Sequence, residues 1–388
     1  MADQIDLFGD KPSRLQLIAR NFEPARLTQA RVLAGFAKGE LATKVAVSAA
    51  AIGQYEAAVT VPRADVLQRL ADAVNVEPEF FASGRPLARV DSSQAHFRSL
   101  RSTRAFDRAR ALATAEQIWE LVFALEKRIR FPDVVLPFLD TSGGPRAAAA
   151  ALRRYWRLPT GPVQHFTAIA ESHGLVVILR PVDYIERVDA FSMRVGERPV
   201  IITTPQRTEN VFRHRFTLAH EIGHLVLHSE AFPGDHGQET EADEFAAEFL
   251  TPANQIVDLL PVAIHLPALD RLSRLWGVSV ESLIKRMAEL RGATDVSVRR
   301  AFQRLAAGSE FRTSEPIGAY RGEIPDLLMQ AQSVAEEAGF TLLQLAAELR
   351  MRPSRVRDLL GFDEKRPVLR VVRDNGSPSS MRVDEAGS

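Results

Sequence analysis

Cysteine is absent from all 388 residues, which excludes disulfides and thiolate metal sites and leaves any metal to imidazole and carboxylate ligands. Net charge is missing too: 49 Lys and Arg balance 49 Asp and Glu. The chain is therefore no basic coat for nucleic acid, and any DNA contact has to be local. No apolar run approaches the roughly 20 residues that a membrane-spanning helix needs. The polar opening Met-Ala-Asp-Gln-Ile-Asp-Leu-Phe-Gly-Asp lacks a basic stretch followed by an apolar core, so no secretory leader is expected and the setting reads as cytoplasmic, with no membrane partner. What is present in quantity is apolar side chain, 46% of the residues, enough for two or three domains.

The strongest chemical signal is Thr-Leu-Ala-His-Glu-Ile-Gly-His-Leu-Val-Leu-His at residues 217–228. On a helix of about 3.6 residues per turn, His220 and His224 project from one face, one turn apart, and can share one metal ion. Glu221 borders that face, placed to take a proton from the attacking water without binding the metal itself. This is the His-Glu-x-x-His signature of zinc hydrolases. Phe216, Leu218, Ala219, Ile222, Leu225, Val226 and Leu227 make the segment apolar almost all round, as in a buried helix. Imidazoles and a carboxylate are costly there unless a cation or hydrogen bonds hold them.

A hydrolytic zinc site needs a third protein ligand and an open position. Residues 229–238 read as a Pro/Gly-containing loop, and residues 239–250 resume a helical pattern that Thr251-Pro252 ends. Glu239, Ala242, Ala246 and Phe249 fall on one stripe, with Asp243 one turn after Glu239. Glu239 is thus the candidate third ligand, and Asp243 a brace for His220 or His224. His228 and His236 are the alternatives for the third ligand. Glu241, Glu244 and Glu248 read as a solvated helix face.

Residues 215–228 and 239–252 together resemble the ImmA/IrrE family of metallopeptidases, the likeness covering roughly residues 160–290. The resemblance implies a zincin-like fold with Zn2+ held by His220, His224 and Glu239 and with Glu221 as general base. It implies a bacterial or phage zinc peptidase that cuts a repressor or antitoxin in a stress response and is often joined to a helix-turn-helix regulator. Two positions depart from the family's habit: Asp243 stands where Asn is common, and Thr251 where Met is common.

Such a regulator is legible upstream. Residues 24–84 give five short helices, at 27–37, 40–45, 48–55, 63–74 and 78–81. The pair flanking residue 47, with Ser48 as cap of the second helix, resembles the XRE-type helix-turn-helix of phage repressors. Ala49, Ala50 and Ala51 occupy positions that would read base edges, leaving Lys44, Ser48 and Gln54 as polar DNA contacts. Beyond it, Arg98, Arg101, Arg104 and Arg108 share a face at helical spacing in the Arg-rich stretch 85–110. Either they contact phosphates or they form a solvated face that pairs with acidic neighbours.

An amphipathic helix at 111–130 and an Ala-rich helix at 146–156 complete a connector over residues 85–158. Residues 175–179, 189–194 and 198–203 read as three strands of a small sheet beside the zinc helix. An edge strand there would hold an extended substrate by main-chain hydrogen bonds. Helices recur at 269–276 and 280–291, and a C-terminal helical domain at 291–373 holds a further helical unit at 323–361 and precedes a disordered tail at 374–388. The expected fold is thus mainly α with a small β-sheet (α+β). A five-helix N-terminal domain, a central peptidase domain at 160–290 and a C-terminal helical extension follow one another. The expected partners are a protein substrate and DNA, with room for a homodimer. The rival reading is a transcription factor or antitoxin whose zinc fold is a non-hydrolytic sensor, a role for which Glu221 is not needed.

Overall fold

The computed structural model describes residues 13–85, 95–97, 105–137, 142–179, 190–195, 198–203, 210–228, 235–308 and 315–361. The chain begins with α1 (Arg14–Arg20), closed by a reciprocal cap in which Ser13 and Gln16 satisfy each other's backbone N–H. Next come α2 (Pro24–Leu33), α3 (Lys38–Lys44), α4 (Ala49–Glu56), α5 (Ala64–Ala73) and a 3-10 turn at Pro78–Phe81. These match the five expected helices. Ser48 Oγ accepts from Ala51 N at 3.1 Å, the cap expected of it. The cap at Ser13 was equally legible, yet α1, which packs on α5, went unread.

Strand β1 (Ala95–Phe97) and the long helix α6 (Ala105–Glu126) follow. α6 is fixed to α2 by the buried pair Arg26–Glu120. Gln29 strengthens the joint, accepting from Arg26 Nη1 at 3.1 Å and donating to Glu116 at 2.9 Å. Then come α7 (Gly144–Tyr155), α8 (Phe166–Ser172), β2 (Val176–Leu179), β3 (Ala190–Val195) and β4 (Arg198–Thr203). The sheet order is β1-β3-β4-β2, antiparallel except for the parallel β2–β4 pair. Three of these strands were expected. β1 was not, because it lies in the Arg-rich stretch read as helix.

The sheet divides two cores. Val176, Ile178, Phe191, Met193, Val200 and Ile202 join the cluster built on α1–α6 and the C-terminal helices, whereas Val177 and Ile201 face a second cluster that begins with α7 and α8. The period-2 alternation of a strand puts neighbouring residues into different cores. The second core is built from α9 (Val211–Leu227), α10 (His236–Leu250), α11 (Ala253–Ile256), α12 (Leu266–Trp276), α13 (Val280–Arg291) and α14 (Asp295–Ala307). The chain then returns: α15 (Leu327–Glu337), α16 (Leu342–Leu349) and α17 (Pro353–Leu360) bury Leu328, Leu345, Val356 and Leu359 in the first core. Glu323 ties this return to the second core, accepting from the backbone N–H groups of Phe166 and Thr167 and pairing with buried Arg215. Glu171 likewise accepts from the N–H groups of Asp326 and Leu327 at the start of α15.

Two connector arginines that lie outside the expected phosphate stripe are occupied within the protein. Arg85 turns inward to Glu120 at 3.3 Å and to the carbonyl oxygens of Phe80 and Leu349, and Arg110 donates to Leu33 O at 2.8 Å. A buried guanidinium seeks such acceptors because leaving its charge unpaired is costly. The Arg98, Arg101 and Arg104 expectation falls outside the described residues. Two arginines of the C-terminal helices are occupied as well. Arg350 donates to Ala82 O and Ser83 O, and Arg355 to Gln117. Among the described residues no helix is long and apolar enough to cross a membrane.

Candidate metal centre and its surroundings

α9 and α10 carry the site, and their close approach depends on one glycine. A Cβ at Gly223 would lie 3.0 Å from the Phe245 ring of α10, a contact that something larger would have to push apart. Asn210 caps the start of α9 through Phe212 N at 2.9 Å, and Asp235 caps α10 through Gly237 N at 2.7 Å. These two caps set where each helix begins and so which residues meet. His220, Glu221 and His224 are buried.

His220, His224 and Glu239 come together, with one ligand atom from each within 4.8 Å of the others. The two Nε2 atoms are 3.0 Å apart, and Glu239 oxygens lie 3.4 Å from His220 Nε2 and 3.5 Å from His224 Nε2. Ligand bonds of about 2.0–2.1 Å in a tetrahedron place donors about 3.3 Å apart, so this triangle has the size that zinc requires. Burial works to raise the Glu239 pKa, but while the two imidazoles are protonated their hydrogen bonds and charge outweigh it and bring the carboxyl down to about 2; a cation bound in their place would do the same. The carboxylate is held anionic.

The protons on the outer ring nitrogens decide what the inner ones present. Asp243 Oδ1 lies 2.8 Å from His220 Nδ1; an ionised carboxylate only accepts, so that nitrogen carries the proton and Nε2 offers a lone pair. On the other side, Glu241 Oε2 lies 2.9 Å from His228 Nε2, and His228 Nδ1 lies 3.0 Å from His224 Nδ1. Glu241 thus fixes the proton on His228 Nε2, and His228 Nδ1 accepts from His224. His224 Nε2 is left with its lone pair toward Glu239. Burial, the larger influence, and the neighbouring His224 push the His228 pKa down against the pull of Glu241, which favours the neutral ring this chain needs. Two lone pairs and a carboxylate converging on one point suit a cation, and the residues present fit Zn2+.

This geometry sorts the sequence-based expectations. Asp243 reaches His220. His228 stands outside the three-residue cluster and contacts His224 instead, while His236 begins α10 and is exposed. Glu241 is not on a purely solvated face, since it lies against His228. Ser192 was missed. Its hydroxyl, buried in β3, donates to Glu221 Oε2 at 2.7 Å, and on the same strand Arg194 donates to Leu225 O at 3.3 Å. A signal existed: Ser192 is a polar residue inside the run Ala-Phe-Ser-Met, on the face opposite Phe191 and Met193. In the N-terminal domain Lys44, Ser48, Ala49, Ala50 and Gln54 are all exposed around the start of α4. Lys44 Nζ sits 5.1 Å from the Phe36 ring centre.

Two family descriptions match the chain. The IrrE N-terminal-like domain, of the peptidase M78 family, matches residues 170–288, and a helix-turn-helix matches residues 27–81. Both agree with the architecture that the sequence resemblance implied. The chain joins a helix-turn-helix to a peptidase-like domain, in a mainly helical α+β fold. No curated protein matches it.

Proposed function

We propose that this protein is a DNA-binding regulator whose second core is a zinc-dependent endopeptidase that cleaves a partner protein such as a repressor or antitoxin, inside the cell. The observation that carries the reading is the convergence of His220 Nε2, His224 Nε2 and a Glu239 oxygen at zinc-ligand spacing, next to buried Glu221. His220, His224 and Glu239 hold the metal, Asp243 and His228 keep the two imidazoles in the binding tautomer, and Ser192 holds the Glu221 carboxylate toward the reacting centre. When bound, zinc polarises the scissile carbonyl and lowers the pKa of water to about 7. Glu221 accepts the proton of the attacking water and returns it to the leaving amine. The exposed surface of α4, with Ser48 at its cap, Gln54 on it and Lys44 at the end of α3, faces DNA, and its alanines leave little for direct base readout.

Two substitutions test the reading against a sensor without hydrolysis. Glu221→Gln keeps shape and the bond from Ser192 but removes the base, so zinc content and folding persist while cleavage of the partner is lost. Glu239→Gln removes the anionic ligand, so zinc binding falls together with activity. A Glu221→Gln strain that still derepresses its target genes normally rules out proteolysis as the regulatory act.

A further inference from the structure

β3 has two edges. One is paired with β4 along Ala190–Val195, and the other carries β1, antiparallel, with Ala95 opposite Met193, His96 opposite Ser192 and Phe97 opposite Phe191. The middle pair carries the information, since Ser192 is the residue whose hydroxyl reaches Glu221 at 2.7 Å. Opposed residues of an antiparallel pair lie about 4.5–5.5 Å apart at Cα. The backbone at 95–97 therefore runs alongside Ser192, the residue that holds the carboxylate assigned as base. β1 comes from the stretch between the two family matches, which end at residue 81 and begin at residue 170. It is three residues long and outermost in the sheet. A sheet edge accepts any extended chain through main-chain hydrogen bonds, largely without regard to its side chains. A short terminal strand is the cheapest one to remove.

We propose that residues 95–97 are an intramolecular occupant of the substrate lane on the outer edge of β3. The partner segment taken by this site is then an extended chain, bound through its main chain, which enters by displacing them. The proposal rests on the peptidase reading for the role of Glu221, but the contest for the edge requires no turnover. Covalent attachment gives the occupant a local concentration on the order of millimolar, so a free segment competes against a large excess. The edge opens to a substrate when the occupant is weakened or the substrate binds better than three residues can.

The test uses the full chain, with Glu221→Gln throughout so that nothing is cut, and a fluorescein-labelled synthetic peptide with the sequence of residues 92–100. Alternate residues of an antiparallel strand direct their N–H groups to the partner. Either His96→Pro or the pair Ala95→Pro with Phe97→Pro therefore removes the donors that face β3. The other removes outward donors, which an edge strand tolerates. The expected result is that one proline variant alone loses hydrogen-exchange protection at the β3 amides, by tenfold or more. That same variant binds the peptide at least tenfold more tightly than the chain without prolines. Equal peptide binding by all three chains, unchanged β3 protection in both variants, or an unprotected β3 edge that takes no peptide overturns the proposal. Failure of the peptidase reading shows separately: a zinc-loaded chain with Glu221 intact that cuts nothing leaves these binding and exchange results as they are.

Discussion

The His224–His228–Glu241 chain leads to a graded prediction for zinc affinity. His228→Phe keeps the ring volume and removes the acceptor for His224 Nδ1, so His224 is free to carry its proton on Nε2, where it blocks the metal. Partners that orient ligating histidines typically contribute 10–100-fold in affinity, about 1.4–2.7 kcal/mol. The geometry places His228 at the upper end of that range, because its side chain is only 4% exposed and water cannot readily replace it. Glu241 and Asp243 side chains are 53% and 48% exposed, so solvent substitutes for part of what they supply. Glu241→Gln and Asp243→Asn each keep an oxygen that accepts from the imidazole. Each should cost no more than a few-fold, on the order of 0.5–1 kcal/mol. The assay is competition for zinc against a chelating dye at neutral pH, with folding followed by circular dichroism. His228→Phe binding zinc as tightly as the unaltered chain, while Glu239→Gln loses it, would refute the tautomer argument. So would Glu241→Gln losing more affinity than His228→Phe.

Other expectations reach the rest of the molecule. Glu323→Gln leaves buried Arg215 without its counter-charge and should cost about 3–5 kcal/mol in urea unfolding; a loss below about 1 kcal/mol would show the pair to be dispensable. Burial raises the Glu171 pKa from 4.5 to about 7, partly opposed by the N–H groups of Asp326 and Leu327. A folded-state pKa above the unfolded one means that the folded state binds the extra proton. The contribution is therefore complete below about pH 4.5 and lost as pH rises through 7, a swing on the order of 3 kcal/mol. Glu171→Gln should flatten the stability profile between pH 5 and 8, and an unchanged slope would contradict the assignment. Lys44→Ala should weaken DNA binding evenly across sequences and reduce the salt slope by about 1; a loss confined to one operator sequence would point instead to base readout by this residue.

The metal cluster was readable because helical spacing alone brings His220 and His224 together, and because Glu239 and Asp243 sit one turn apart on the next apolar stripe. Glu241 was misread since its position on α10 looks outward. What it meets is His228, the cap that ends α9, and no local pattern reports how two helices overlap. Ser192 reaches Glu221 across a strand-to-helix contact of 29 residues' separation, which periodicity within either element cannot supply. β1 was missed for a different reason: Ala-His-Phe has no β-branched run, and its extended form comes from the ladder that β3 offers. The inward arginines belong to the same class. Composition marks 85–110 as basic, but only the packing of α6, α16 and the N-terminal domain decides that Arg85 and Arg110 spend their donors on carbonyl groups and Glu120.

The placement of β3 between two cores has a genetic consequence. In a library of substitutions along 190–195, defects should alternate with position. Changes at Phe191 and Met193 strike the core shared with the regulator half and the C-terminal helices, and should appear as low protein abundance. Changes at Ser192 and Arg194 touch α9 beside Glu221 and Leu225, and on the proposed peptidase function should appear as normal abundance with impaired proteolysis. Adjacent codons would then yield different phenotypes, and a one-residue insertion, by exchanging the two faces, would produce both at once.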